Sequence, residues 1–469
     1  MKLSILWIQE LCSILLTKNL SLQILPMKNS HSNRRDFIKK SAIVATGLGF
    51  SAKSYARIIG SNERVNIAVA GLNSRGNAHL SAARTFAKEV NIVGLCDVDN
   101  RVFDKVKREF SDFVPGSTKT YSDIRKMLEE KSIDAVSIAT PDHWHTPMAI
   151  MAMNAGKHVY LEKPCSHNAH EGEMLIAVKS KTGKVIQIGN QQRSAPTSIE
   201  LIQKIREGVI GEAYYAKAFY EANRGGIGKG ASAAVPEWLD WDLWQGPAPR
   251  EDYKDNFVHY NWHWFWKWGT GEINNNGLHE MDICRWALDV GMPTQVSSAG
   301  GRFAFDDDWE FYDTQLTTFN FSGGKMLNWE GRSCNGTSVF KNAAGRGSYI
   351  HGTKGTAFVD REGYEIFDLK NNLIEKSDEA AGEYSVNTLG ISRLDNFHYR
   401  NFLNGIQKGE QLNSPVEEAH KSTLLCHLGN MSQHLGKALM LDEKTGKPKD
   451  KEAMKMWSRE YEKGWKPIV

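Results

Sequence analysis

Three things are scarce in this chain, and each scarcity removes a class of function. Long apolar runs are missing, since none reaches the ~18 residues that a membrane-spanning helix requires. Paired cysteines are missing. The six, Cys12, Cys96, Cys165, Cys284, Cys334 and Cys426, are scattered without a C-x-x-C spacing. They read as mostly buried thiols, so neither a disulfide framework nor a zinc site is expected. An excess of one charge is also missing: 58 Lys and Arg against 55 Asp and Glu leave +3 over 469 residues. That balance argues for neither a nucleic acid nor a membrane surface as partner. What remains is the composition of a soluble globular protein, 41% hydrophobic and 24% charged, long enough for two domains, with no internal repeat.

The first sixty residues are not expected to belong to the fold. Arg34 and Arg35 are adjacent and are followed by Phe37, Lys39 and Lys40, then by a mildly apolar run from Ala42 to Ala52. Ser54-Tyr55-Ala56 supplies small residues for cleavage. Residues 1–56 resemble a twin-arginine export signal with an extension, which predicts a periplasmic or otherwise exported protein. Met27 is the expected start, with residues 1–26 an extension of the reading frame.

From Arg64 a buried-strand pattern runs into Gly71-Leu72-Asn73-Ser74-Arg75-Gly76, and a helix is expected over about 77–87. This is the logic of a dinucleotide-binding turn. Gly71 and Gly76 allow the backbone to bend and approach a pyrophosphate, which then rests on a helix N-terminus. Asn73 stands where a middle glycine would, and asparagine tolerates left-handed geometry. The next strand, Val90–Cys96, ends at Asp97, about twenty residues on, where a carboxylate accepts from ribose hydroxyls. A carboxylate there repels a 2′-phosphate, so NAD is expected over NADP.

A third strand over 133–139 delivers Thr140-Pro141-Asp142-His143-Trp144-His145 at its end, and a helix is expected over about 147–155. His143 and His145 form no metal site in this reading, because no third ligand has a suitable spacing. A fourth strand, about 157–161, then presents Glu162 and Lys163, and Pro164 stops the ladder for want of an N–H. The β-α-β order gives a doubly wound parallel sheet over 64–190, with ligands outside the carboxyl ends of the strands.

The glycine turn, Cys96-Asp97-Val98-Asp99, Thr140-Pro141-Asp142-His143-Trp144-His145 and Glu162-Lys163-Pro164 together resemble the Gfo/Idh/MocA oxidoreductase family, which includes glucose–fructose oxidoreductase and inositol dehydrogenase. The resemblance implies cofactor contacts at Ser74, Arg75, Asp97, Thr140, Trp144, His145, Glu162, Lys163 and Asn190. It also implies an acid/base motif of Asp, three residues, His, two residues, Asp. His279 and Asp282 match that motif, whereas Asn275 stands at its first position. Glu272 could substitute for the missing carboxylate.

Residues 191–469 change character. A helix over about 197–208 precedes strands at 213–220, 295–305, 313–321, 325–332 and 356–359, separated by glycine-rich turns, and the stretch 395–436 reads as helical. The expected fold is α/β: a Rossmann domain followed by an α+β substrate and oligomerisation domain with a large, mainly antiparallel sheet. The final helices would pack back on the first domain, and the resemblance implies a homo-oligomer formed through the sheet. Half of the fourteen tryptophans lie between Trp238 and Trp268. Trp262, Trp264, Trp266 and Trp268 alternate, so an extended strand would put them on one face, suited either to a sugar ring or to packing.

The functional expectation is NAD-dependent hydride transfer between cofactor and a sugar, glycoside or polyol, with His279 as base and Lys163 on the reacting oxygen. Two alternatives stand beside it. One is an NAD-dependent glycosidase working by transient oxidation and elimination, against which Lys163 counts. The other is a non-catalytic nucleotide-binding member.

Overall fold

The computed structural model describes residues 64–337, 345–378 and 393–469; the expected export signal, 1–56, lies outside them. The first sheet has six strands: β1 (Val65–Ala70), β2 (Val90–Cys96), β3 (Lys119–Tyr121), β4 (Ala135–Ile138), β5 (His158–Leu161) and β6 (Ile186–Ile188). Their order is β3-β2-β1-β4-β5-β6 and every pairing is parallel. The central strands carry side chains buried on both faces, as helix-covered parallel strands must. The covering helices are α1 (Arg75–Thr85), α2 (Val102–Glu109), α3 (Ile124–Leu128), α4 (Asp142–Asn154) and α5 (Ala169–Thr182).

Helix α4 begins five residues before the expected start and carries Pro147 inside it. An internal proline leaves the carbonyl four residues earlier without a helical donor. Here that carbonyl belongs to His143, and Arg459 Nη2, from the end of the chain, donates to it at 2.5 Å. A distant residue therefore makes a proline tolerable where the sequence suggests a helix start.

The second domain opens with α6 (Pro196–Arg206) and β7 (Ala213–Glu221), then α7 (Trp241–Gln245) and α8 (Leu278–Leu288). Strands β8 (Gln295–Gly301), β9 (Thr314–Asn320), β10 (Met326–Arg332), β11 (Arg346–Gly352), β12 (Gly355–Val359), β13 (Gly363–Asp368) and β14 (Leu373–Asp378) follow, then α9 (Arg393–Lys408), α10 (Val416–Leu435) and β15 (Leu439–Met440). The order is β14-β13-β12-β11-β7-β10-β9-β8-β15, antiparallel throughout except for β7 against β10. Alternate residues Leu327 and Trp329 of β10, with Phe319 and Ile350, face one core with α6, α8 and α10.

One strand boundary needs correction, and the helical reading of 395–436 holds. β8 ends at Gly301, short of the expected 305, because the amides of Phe303 and Ala304 turn to the Asp313 carboxylate. The stretch 395–436 is two helices. The first packs Tyr399, Phe402 and Leu403 into the core of the parallel sheet, beside Val65 and Ile67. Among the described residues, no helix is long and apolar enough to cross a membrane.

Candidate active site

Strand order reverses direction of travel between β1 and β4, and loops from both open a crevice at that point. A cleft of about 540 Å³ occupies it and extends to the second domain. Gly71, Asn73, Ser74, Arg75, Asp97, Thr140, Trp144, His145, Glu162, Lys163, Asn275 and His279 all line it. Three predicted site residues do not. Gly76 lies behind the turn, where an added Cβ would sit 1.9 Å from the Gly71 carbonyl oxygen. Asn190 is buried out of the cleft, and its neighbours Gln191 and Gln192 line it instead. Asp282 is the third.

The dinucleotide turn has the geometry that a pyrophosphate needs. Gly71 has φ +84°, and a Cβ there would lie 2.4 Å from the Ala139 carbonyl oxygen, so only glycine is accommodated. Helix α1 opens at this turn without an acidic residue in its first turn, and the Ser74 side chain forms no cap to it. The helix N-terminus is left with its positive end toward the cleft. The buried Thr140 hydroxyl has no hydrogen-bond partner, a donor available to a bound group. These residues fit a dinucleotide. Asp97 does two jobs at once. Its Oδ2 accepts from the Leu72 amide at 2.6 Å and shapes the turn, while the residue faces the cleft.

Glu162 organises the floor. Its Oε1 receives Arg75 Nε at 2.7 Å, His79 Nε2 at 3.0 Å and Gln191 Nε2 at 3.0 Å. Burial works to raise its pKa, but Arg75 and then His79 hold it well below the usual carboxylate range. Arg75 is also paired with Asp395 at the start of α9, so α1 and α9 meet at this arginine. His145 lies between two carbonyls, with Nε2 at 2.8 Å from Thr140 and Nδ1 at 2.6 Å from Pro164. It is held as a strut between the two loops.

Lys163 crosses to the second domain. Its Nζ donates to the Asn275 carbonyl at 2.6 Å. Burial lowers its pKa, only partly opposed by Glu162 and Asp142. Asn275 belongs to a π-helical turn, Ile273–Gly277, directly before α8. Such wide turns recur at functional sites because they displace one carbonyl from the regular ladder. The Asn275 side chain turns away to Glu272 Oε1 at 3.3 Å. Glu272 is itself occupied by Arg224 at 2.7 Å and by Asn276, so it does not replace the missing carboxylate beside His279.

His279 has no hydrogen-bond partner recorded for its ring among the described residues. Burial, then Arg361, Lys163, Arg346 and Arg75, keep its pKa well below that of an ordinary histidine. The imidazole is therefore neutral at neutral pH and able to accept a proton. Asp282 does not assist it. The Asp282 carboxylate is bound by Arg193 through Nε (2.6 Å) and Nη2 (2.8 Å), and accepts from the Ser422 hydroxyl at 2.5 Å. Residues three apart share a helix face only broadly, and here the pair straddles the boundary between cleft and core.

The tryptophan run is not extended. A 3₁₀ turn over Asn261–Trp264 destroys the two-residue alternation, since three residues per turn scatter positions i and i+2. Trp262 faces the cleft with His263 stacked on it at 3.6 Å. Trp264 stacks on Trp309 at 3.8 Å, Trp266 meets Phe311 at 4.1 Å, and Trp268 is enclosed by Trp241, Trp244 and Phe257. Packing accounts for Trp264, Trp266 and Trp268.

Three cleft residues carry no signal in the sequence: Tyr260, Arg361 and Asp395 are isolated polar residues that only tertiary contacts bring here, whereas Arg224 lies in the glycine-flanked loop 221–226 that could be expected to supply polar contacts. Among the described residues, no group of three His, Cys, Asp or Glu side chains is placed to hold a metal.

Residues 65–190 match the Gfo/Idh/MocA model described as an oxidoreductase family with an NAD-binding Rossmann fold, and residues 219–466 match that family's C-terminal alpha/beta domain. An alpha-N-acetylgalactosaminidase from Shewanella oneidensis is 27% identical over 219 residues, 41% of this chain and 46% of that protein. The chain spans less than half the length of the curated relatives it matches. An oxidoreductase domain protein from Kribbella flavida superposes with a TM-score of 0.63 at 19% identity, covering 81% of this chain and 100% of that one. The WlbA dehydrogenase from Bordetella pertussis, solved with NADH and UDP-GlcNAcA, superposes with a TM-score of 0.60 at 19% identity, covering 81% and 99%. At these identities the structural likeness speaks to fold.

Proposed function

Since the chain belongs to the Gfo/Idh/MocA oxidoreductase family, with an NAD-binding Rossmann domain, we propose that it is an NAD-dependent dehydrogenase of a sugar, glycoside or polyol hydroxyl. NAD, when bound, supplies a hydride acceptor, and reduced NAD the corresponding donor. The Gly71 turn, the N-terminus of α1, Asp97 and Thr140 would hold it. One observation carries the reading: a neutral His279 and a desolvated Lys163 line the same cleft as that turn. Lys163 hydrogen-bonds the reacting oxygen and His279 takes its proton, a contribution of roughly 10²–10⁴ in rate. Both groups serve the reverse direction.

Incubation of the protein with NAD and a panel of glycosides and polyols should produce NADH. A panel that yields none, in either direction, would refute the assignment. The names of the curated relatives support a second reading, an NAD-dependent glycosidase. It predicts release of a free sugar without net NADH.

We also propose export by the twin-arginine route, supported by Arg34 and Arg35. Replacing both with lysine should hold the protein in the cytoplasm. Self-association through the second sheet is supported by its aromatic outer face. Tyr215 stacks on His351 at 5.3 Å there, and Leu316 is 55% exposed.

A further inference from the structure

Among the described residues, the arginines in and around the inner cleft are matched to carboxylates, with a single guanidinium left over. Arg75 is paired with Glu162 and Asp395. Arg224 is paired with Glu272, and Arg346 with Glu280. Arg361 lines the same cleft, and among the described residues no hydrogen bond or ion pair is recorded for its side chain. Glu280 is the carboxylate that acts on it most strongly, yet Glu280 Oε2 is itself without a hydrogen bond, so the two are not joined.

Arg361 is also held in place. It sits in the tight turn between β12 and β13, closed by the Asp360 amide donating to the Gly363 carbonyl at 3.1 Å. Asp360 Oδ1 accepts from the Glu362 and Gly363 amides at 2.8 and 3.1 Å. Gln192, in the turn that follows β6, donates to the Asp360 carbonyl at 2.6 Å and ties the β12–β13 turn to the cofactor side. Burial, followed by Arg346, pushes the Arg361 guanidinium down to about 9. Arg361 is half-buried and has no counter-ion among the described residues, so a bound anion there is favoured. Arg361 and His279 line the same cleft, and Arg361 is the cation that acts most strongly on the imidazole, so an anion bound there shares the cleft with the proton acceptor.

We propose that the substrate is an acidic sugar whose carboxylate is bound by Arg361. The inference rests on the dehydrogenase reading and narrows its substrate class. A single planar fork suits a carboxylate, which it can meet with two parallel hydrogen bonds. A phosphate would call for more than one free guanidinium, and the other three arginines are engaged, while Lys163 is assigned to the reacting oxygen.

The test is calorimetric titration of the protein–NADH complex with the methyl glycosides of glucuronic and galacturonic acid, their neutral parents, and a hexose phosphate. At least one uronide should bind roughly 10- to 100-fold tighter than its neutral parent, the usual worth of one charge-assisted pair. Arg361→Gln should abolish that preference without changing NADH affinity, and Arg361→Lys should restore part of it. Equal or tighter binding of the neutral parents overturns the proposal. So do tighter binding of the hexose phosphate, no binding of either uronide, or a preference that survives in Arg361→Gln. Turnover separates the two layers. Arg361-dependent binding of a uronide without NADH formation from NAD would retain the anion site and refute the dehydrogenase. Oxidation of neutral sugars without a uronide preference would do the reverse.

Discussion

Lys163 Nζ and the main-chain oxygen of Asn275 are 2.6 Å apart, and this bond joins the parallel sheet of the first domain to the π-helical turn of the second. Lys163 is thus held by backbone. The side chain of Asn275 points at Glu272, so the residue's identity matters less to Lys163 than its position does. In the proposed reaction, a substrate oxygen entering the cleft would compete with the Asn275 carbonyl for the ammonium.

Lys163→Ala should lower kcat by roughly 10²–10⁴ with a smaller change in NADH affinity. Steady-state kinetics beside fluorescence titration of NADH would show this. Equal losses in both would mean that Lys163 serves cofactor binding alone.

His279→Ala should lower kcat and remove the acid limb of its pH profile. In the wild type that limb should lie well below pH 6.5, since burial, Arg361 and Lys163 all disfavour the imidazolium. Asn275→Asp adds a negative charge nearby and should move the limb upward. A His279→Ala variant with near-normal kcat and the same profile would return the proton to another group.

Asp97→Asn keeps an acceptor for the Leu72 amide but removes the charge that opposes a 2′-phosphate. The ratio of NADP to NAD affinity should rise, with little loss of folding stability. Tighter binding of NADP than NAD by the wild-type protein would contradict this role for Asp97.

The aromatic insert divides by position. Trp262→Ala, at the cleft wall, should weaken substrate binding more than it destabilises the fold. Trp264→Ala opens a void against Trp309 and should cost about 3–5 kcal/mol in urea denaturation. The reverse pattern would mean that Trp264, not Trp262, meets the ligand.

Acid should destabilise the protein early. His143 and His427 are pushed down to about 3, and His398 and His420 to about 4, mainly by burial. Above about pH 6.5 they are neutral folded or unfolded and contribute nothing to pH dependence. Below it the unfolded chain takes up protons that the folded chain refuses. Stability then falls by up to about 1.4 kcal/mol per pH unit per histidine, until each folded pKa is reached. Melting temperatures measured at about pH 7 and about pH 5 should differ clearly, and equal values would show that these rings protonate in place.

The sequence by itself determined the four central strands of the first domain, β1, β2, β4 and β5. Val90–Cys96 is recovered residue for residue, because a parallel strand covered on both faces must be a continuous apolar run, and that pattern is local. The glycine turn and Glu162-Lys163-Pro164 were legible for the same reason: their chemistry depends on neighbours in the chain. Strands β11, β13 and β14 were not anticipated, since their glycines and mixed polarity become a sheet only through pairing with distant partners. The cleft followed the same division. Spacing put His279 and Asp282 together, but tertiary structure gave Asp282 to Arg193 and left His279 beside Arg361, a residue with no motif around it. Which charges are paired and which are left facing a ligand is a property of the folded cleft, because it is set by contacts between residues dozens to hundreds apart.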